Sequence, residues 1–168
     1  MATSFEELKV LQAAESIADD VWKVVVTWKQ FVRDVVGGQL ARATDSIGAN
    51  IAESFGRFHY GEKIQFLYYA RGSLFETKYW LNRVKARNLA SDDQMSAYSQ
   101  LLTDITRQLN AFANNLKSQR SNESAQPGTK RIKETGADYM ADGVGDFPEP
   151  LFSEAEIQWL LSEAPSAH

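Results

Sequence analysis

The stretch ATDSIGANIAESFGRF, residues 43–58, places Ser46, Asn50, Glu53 and Arg57 at steps of four, three and four, with Arg42 one turn ahead. On a helix these steps draw a single polar line. A hydroxyl, an amide, a carboxylate and a guanidinium in a row make either a solvated face or a set of hydrogen-bonding partners for a neighbouring element. Gly48, Ala49 and Ala52 beside the line leave room for the close approach of another backbone. The next helical segment carries Ser73 and two isolated charges amid apolar neighbours, Arg71 and Glu76. Folding back through a turn at Tyr60-Gly61 sets Arg42 near Glu76 and Asn50 near Arg71. The expectation is a partly buried inter-helix layer of Arg42, Ser46, Asn50, Glu53, Arg71, Ser73 and Glu76. Removing one partner from such a layer costs about 3–5 kcal/mol, because a charge is left uncompensated.

Other groups with chemical potential fit catalysis poorly. Of the two histidines, His168 is terminal and His59 lies at the turn between two helices. A di-iron bundle requires Glu-x-x-His pairs, whereas Glu53, Glu62 and Glu76 are followed three later by Gly56, Gln65 and Tyr79. Neither H-E-x-x-H nor any phosphate-cradling or nucleophile-elbow motif occurs. Asp19-Asp20 and Asp92-Asp93 fall on exposed helix positions or at a helix start, where acids suit the dipole. The expectation is therefore no enzyme, no metal, no cofactor and no small-molecule substrate.

Two basic groups remain. GRFHY, residues 56–60, puts Arg57, Phe58, His59 and Tyr60 at one corner, and Arg83, Lys85 and Arg87 end the following helix. Arginine with aromatics can grip phosphates and stack bases. The first group also reads as a packed corner, and the second as cations complementing a helix C-terminus.

These residues need helices to position them, and the pattern supplies four across residues 4–120. The first opens with a capping box at Ser4 and Glu7. It presents Val10, Ala14, Ile17, Val21, Val25, Trp28, Val32 and Val35 on one face, and is expected to stop at Gly37-Gly38. The second runs from about Gln39 to Phe58 with Leu40, Ala43, Ile47, Ile51 and Phe55 inward. The third, about Glu62 to Arg87, shows Ile64, Tyr68, Phe75 and Tyr79 on one side. Phe66, Ala70, Ser73, Trp80 and Val84 lie nearly opposite. The fourth starts with a capping box at Ser91 and Gln94, followed by a heptad seam of Met95, Tyr98, Leu102, Ile105, Leu109, Phe112 and Leu116. Short links make this an all-α, up-down-up-down four-helix bundle.

Residues 121–150 are polar and rich in Gly and Pro, the composition of a disordered linker. Residues 151–164 then form a short amphipathic helix, capped by Ser153 and Glu156. It offers Phe152, Ile157, Trp159, Leu160 and Leu161 as a docking ridge. A helix this short is marginal alone, so it folds docked on its own body, on a sister subunit or on another protein.

Composition bounds the rest. The 168 residues are 43% hydrophobic and contain no cysteine, consistent with one domain in a reducing cytoplasm. No secretion signal or membrane-spanning run is evident. Through Arg120 there are 15 Lys+Arg and 13 Asp+Glu, net +2, and beyond it 3 and 9, net −6. A mildly basic body thus carries an acidic tail, and its surplus alone does not argue for nucleic acid. The apolar residues exceed what one bundle hides. Trp22 and Val26 lie off the inward face of the first helix, and the third has its two sides. Trp22, Val26, Ile64, Tyr68, Phe75 and Tyr79 are accordingly candidates for a homo-oligomer interface. Scattered surface hydrophobes are the plainer alternative.

The polar line also carries a resemblance. QLARATDSIGANIAESFGR resembles the Q-L-R-R-A-A-x-S-I-x-x-N-I-A-E-G signature of the four-helix-bundle family named for proteins encoded in intervening sequences of bacterial large-subunit ribosomal RNA genes. FLYYARGSLFET is similar to that family's F-L-x-I-A-x-G-S-x-x-E. The matched positions are Arg42, Ser46, Ile47, Asn50, Ile51, Ala52 and Glu53, then Phe66, Ala70, Gly72, Ser73 and Glu76. Ala41, Thr44 and Ser54 depart from the pattern. The family includes the accessory protein of diversity-generating retroelements, and the resemblance implies a ring-like homopentamer. Two functional expectations follow. One is a non-enzymatic accessory protein binding RNA or a nucleoprotein through Arg57, His59, Arg83, Lys85 and Arg87, repeated around the ring. The other is a protein-interaction scaffold that uses the C-terminal helix as its docking element.

Overall fold

The computed structural model describes residues 8–124 and 150–162. Helix α1 spans Lys9–Val25, α2 Gly38–Gly56, α3 Tyr60–Ala86, α4 Asp92–Ser124 and α5 Glu154–Leu161. No strand occurs among the described residues, so the chain is all-α. Helix α1 packs on α2, α2 on α3 and α3 on α4, while α4 closes back on α1. That is the neighbour pattern of a four-helix bundle. The Ser4–Glu7 box and nearly all of the 121–150 linker lie outside the described residues; 121–124 belong to the last turn of α4.

Val10, Ala14, Ile17, Val21 and Val25 of α1 are buried as a single stripe. The helix does not continue to Gly37-Gly38. It ends within Val24-Val25-Val26-Thr27, a β-branched run that crowds the preceding turn, and Trp28 N–H closes a turn onto Val25 O at 3.1 Å. The chain becomes helical again at Gln30–Val32 and passes through a π-helical turn, Arg33–Gly37, straight into α2. The expected face is therefore cut short: Trp28 and Val32 are half-buried and Val35 is exposed. The glycine pair serves contact rather than termination. A Cβ on Gly37 would stand 2.6 Å from Val25 Cγ1, so only glycine lets the π turn lie against the end of α1.

In α2, Leu40, Ala43, Ile47 and Ile51 are buried, but Phe55 is exposed. Ser54 takes the inward position, its hydroxyl donating to Lys63 O at 2.7 Å. This bond fastens the last turn of α2 to the first of α3 and sets the tight Arg57–His59 corner. Helix α3 carries one broad apolar face, not two opposed ones. Leu67, Leu74 and Leu81, seven apart and fully buried, are its centre. The two expected sides are flanks of that face, one toward α2 and the other toward α5. Asn88 ends the helix in left-handed geometry, φ 53°. Its N–H bonds to Lys85 O at 3.0 Å, and Leu89 N–H to Val84 O at 3.1 Å, the paired bonds of a Schellman motif. Helix α4 opens on its capping box, with Ser91 N–H to Gln94 Oε1 at 3.0 Å and Gln94 N–H to Ser91 Oγ at 3.2 Å. Its seam residues are buried, apart from half-buried Phe112.

Candidate functional site

The polar line on α2 is used mainly within its own helix. Ser46 Oγ donates to Arg42 O at 2.7 Å, and Asn50 Nδ2 donates to Ser46 O at 2.8 Å. One bond crosses to α3, from Asn50 Nδ2 to Ser73 Oγ at 3.3 Å. Glu53 pairs with Arg57 one turn on. Arg42 and Glu76 are both exposed, and no ion pair joins them among the described residues. The register explains the difference. With Asn50 opposite Ser73, Arg42 falls level with the region of Leu81, more than a turn past Glu76. Arg71 does not reach Asn50 either; it pairs with Glu156 of α5. The expected layer thus reduces to the Asn50–Ser73 contact. Gly48, beside the line, faces α1: a Cβ there would lie 3.8 Å from Ala14 Cβ. The small residues accommodate a helix of the same chain, in a shallow groove that Glu15, Asp19 and Asp45 also line.

The face of α3 around Phe75 is covered from within. The segment LFSEAEIQWLL, residues 151–161, docks there and along α4. Ser153 and Glu156 form a complete capping box at its start. Phe152, Ile157 and Leu160 are buried, Leu161 is half-buried, and Trp159 lies at the edge. Phe75 stacks on Phe152 at 6.0 Å and on Trp159 at 5.2 Å. Asn110 of α4 clamps the backbone of Phe152, accepting its N–H at 2.7 Å and donating to its carbonyl at 3.0 Å. Two cations bracket the docked helix. Arg71 holds Glu156 in its first turn and lies 4.9 Å from the Phe75 ring centroid. Lys78, only 3% exposed, donates to Leu160 O at 3.0 Å and also to Ser162 O. A buried ammonium needs such acceptors, and these carbonyls are the negative end of the helix dipole. Lys78 and Asn110 were not foreseeable from local pattern. The one available signal was a cation seven residues after Arg71, on the same side of an apolar helix.

The interface candidates therefore separate. Ile64 is 1% exposed and packs within the core beside Leu67, so it is unavailable to a partner. Tyr68 is half-buried against the core, and Phe75 is capped by α5. Trp22, Val26 and Tyr79 remain exposed, joined by Phe31 and Val35. Trp22, Val26, Phe31 and Val35 all belong to the end of α1 and the connection leading into α2.

The basic groups do not form one site. Arg57 and His59 lie before α3, and Arg83, Lys85 and Arg87 at its far end, about 40 Å away for a helix of this length. Arg57 sits 4.7 Å from the Phe66 ring centroid, and half-buried His59 meets the exposed ring of Phe58 edge-on at 5.1 Å. Arg83 lies 5.7 Å from the Tyr79 ring centroid, Lys85 Nζ lies 3.8 Å from Asp92 Oδ1, and Arg87 is exposed. Among the described residues there is no group of three His, Cys, Asp or Glu side chains that could hold a metal ion, and no helix long and apolar enough to cross a membrane.

No curated protein matches the chain at a significant level. A family model described as 23S rRNA-intervening sequence protein matches residues 6–111. The match takes in the polar line on α2, the FLYYARGSLFET stretch of α3 and the groove residues Arg71, Phe75, Lys78 and Asn110; the segment that fills the groove lies outside it. The chain belongs to the 23S rRNA-intervening sequence protein family.

Proposed function

We propose that this protein is a non-enzymatic, cytoplasmic homo-oligomer, five-membered by family resemblance, whose repeated basic corners engage RNA or a nucleoprotein. The observation that carries self-association is the apolar surface left after the chain has folded. Trp22 is 60% exposed, Val26 43%, Phe31 76% and Val35 47%. Four large hydrophobes around one corner exceed the scatter usual on a monomer, and a symmetric contact between copies covers them without a second gene product. The docked segment 151–162 does not serve this purpose, since it shields Phe75 on another face while the four side chains at that corner stay exposed.

Assembly would also repeat Arg57, with its exposed neighbour Phe58, and Arg83–Arg87 around the symmetry axis. Each basic corner is weak alone, with neighbouring carboxylates at Glu53 and Asp92, and repetition multiplies its field. Fluorescence anisotropy with a labelled single-stranded RNA tests this reading. Affinity should fall steeply with salt and weaken on Arg57→Ala or on joint neutralisation of Arg83, Lys85 and Arg87. Salt-independent binding, or none, would overturn the RNA reading and leave the oligomer to be judged by its mass.

A further inference from the structure

We infer that the groove between α3 and α4 is a receptor for the C-terminal helix of a second copy, so that copies of this chain exchange residues 151–162 within the assembly. The inference rests on the self-association proposed above. Residues 151–162 and their receptor form a self-contained pair: both ring stacks, the Arg71–Glu156 pair, the Asn110 clamp and both Lys78 bonds join that segment to α3 or α4. An eight-residue helix is not stable by itself in water, so the groove supplies the interactions that keep it folded. None of these contacts depends on which chain donates the segment.

The covalent connection permits either donor. Phe152 is held at Asn110, fourteen residues before the end of α4 at Ser124, about 21 Å back along the helix at 1.5 Å per residue. About seven extended residues would cover that distance. The chain places 25 residues, 125–149, in between, enough to span about 80 Å when extended. A helical bundle with axes 8–10 Å apart is about 20 Å across, so a neighbour's groove is well within reach. With copies held together, an exchanged helix adds a second link to each contact and raises avidity without any new chemistry. Trp159 is 40% exposed and Tyr79 54%, both close to Phe75, so an apolar edge continues past the docked helix.

The test uses full-length chains carrying Arg71→Lys, which sets an amine against the Glu156 carboxylate. Equal amounts of ¹⁴N and ¹⁵N protein are refolded together and coupled with a zero-length carbodiimide. The cross-linked peptides are then read by mass spectrometry, with Glu156→Gln as the control that abolishes the link. Exchange predicts cross-links of mixed isotope composition approaching about half of the total, as random pairing of donors and receptors requires. Cross-links of pure isotope only, in a sample that sediments as an oligomer, would overturn the exchange while leaving self-association intact. Pure-isotope links in a sample of single chains would remove both.

Discussion

Asn110 shows how much a single side chain can settle. Its amide satisfies both backbone groups of Phe152. Asn110→Ala should therefore leave a buried donor and acceptor unpaired, loosening the docked tail by about 1–3 kcal/mol. Amide hydrogen exchange is the measurement: protection should fall across 151–162 and persist in α1 to α3. At Gly37 a methyl group would meet Val25 Cγ1 at 2.6 Å, so Gly37→Ala should cost about 1–3 kcal/mol in urea unfolding through overpacking. Gly48→Ala, with 3.8 Å to its neighbour, should be tolerated. Tyr98 is the residue with a pH signature. Burial first, and the Asp20 carboxylate second, push its phenol above the ordinary value. The folded state thus holds this proton more tightly than the unfolded one, and the resulting stability is complete below the ordinary tyrosine pKa of about 10. It is lost as pH rises through that value toward the raised one. Tyr98→Phe should flatten that alkaline loss in denaturation curves taken across pH 9–12; an unchanged slope would contradict the assignment.

Among the elements, the starts of α4 and α5 and the core stripe of α4 were readable from sequence because their causes are local. Ser91 with Gln94, and Ser153 with Glu156, form the capping boxes their spacing announces, and the α4 seam lies where its heptads put it. The misread elements had distant causes. Gly37-Gly38 looks like a stop until Val25 is seen against it. Ile64, Tyr68 and Phe75 look outward when Leu67, Leu74 and Leu81, the true centre of the α3 face, are left out of the pattern. Nothing near Phe75 in sequence says that Phe152 and Trp159 will cover it. The polar line was legible as a feature but not in its partners, since a shift of about one turn between α2 and α3 reassigns every pairing. A double-mutant cycle on Arg42 and Glu76 should accordingly give coupling near zero. The Glu53–Arg57 pair, one turn apart and largely exposed, should give about 0.3–0.5 kcal/mol. Coupling of several kcal/mol between Arg42 and Glu76 would mean the helix register is wrong. For α5, Phe152→Ala should remove about 3–5 kcal/mol of docking and release the helix, with loss of Trp159 stacking fluorescence and no loss of the bundle's cooperative unfolding.

For the molecule as a whole, a self-sufficient core sits beside an unsatisfied surface. The core of α1 to α4 is closed by the chain's own residues, and α5 seals one flank. What stays open includes the corner of Trp22, Val26, Phe31 and Val35 and the rim at Tyr79 and Trp159, along with Phe55, Phe58 and Tyr69. Functional proposals for this chain depend on that corner, because multiplication of the basic ends and exchange of the tail both require neighbouring copies. Sedimentation velocity across a wide concentration range, on the full-length chain and on Trp22→Ser/Phe31→Ser, tests it most directly. The native chain should sediment as a discrete species several times 18.8 kDa, and the double variant should dissociate. A native chain that sediments as a single 18.8 kDa particle at every concentration would contradict self-association.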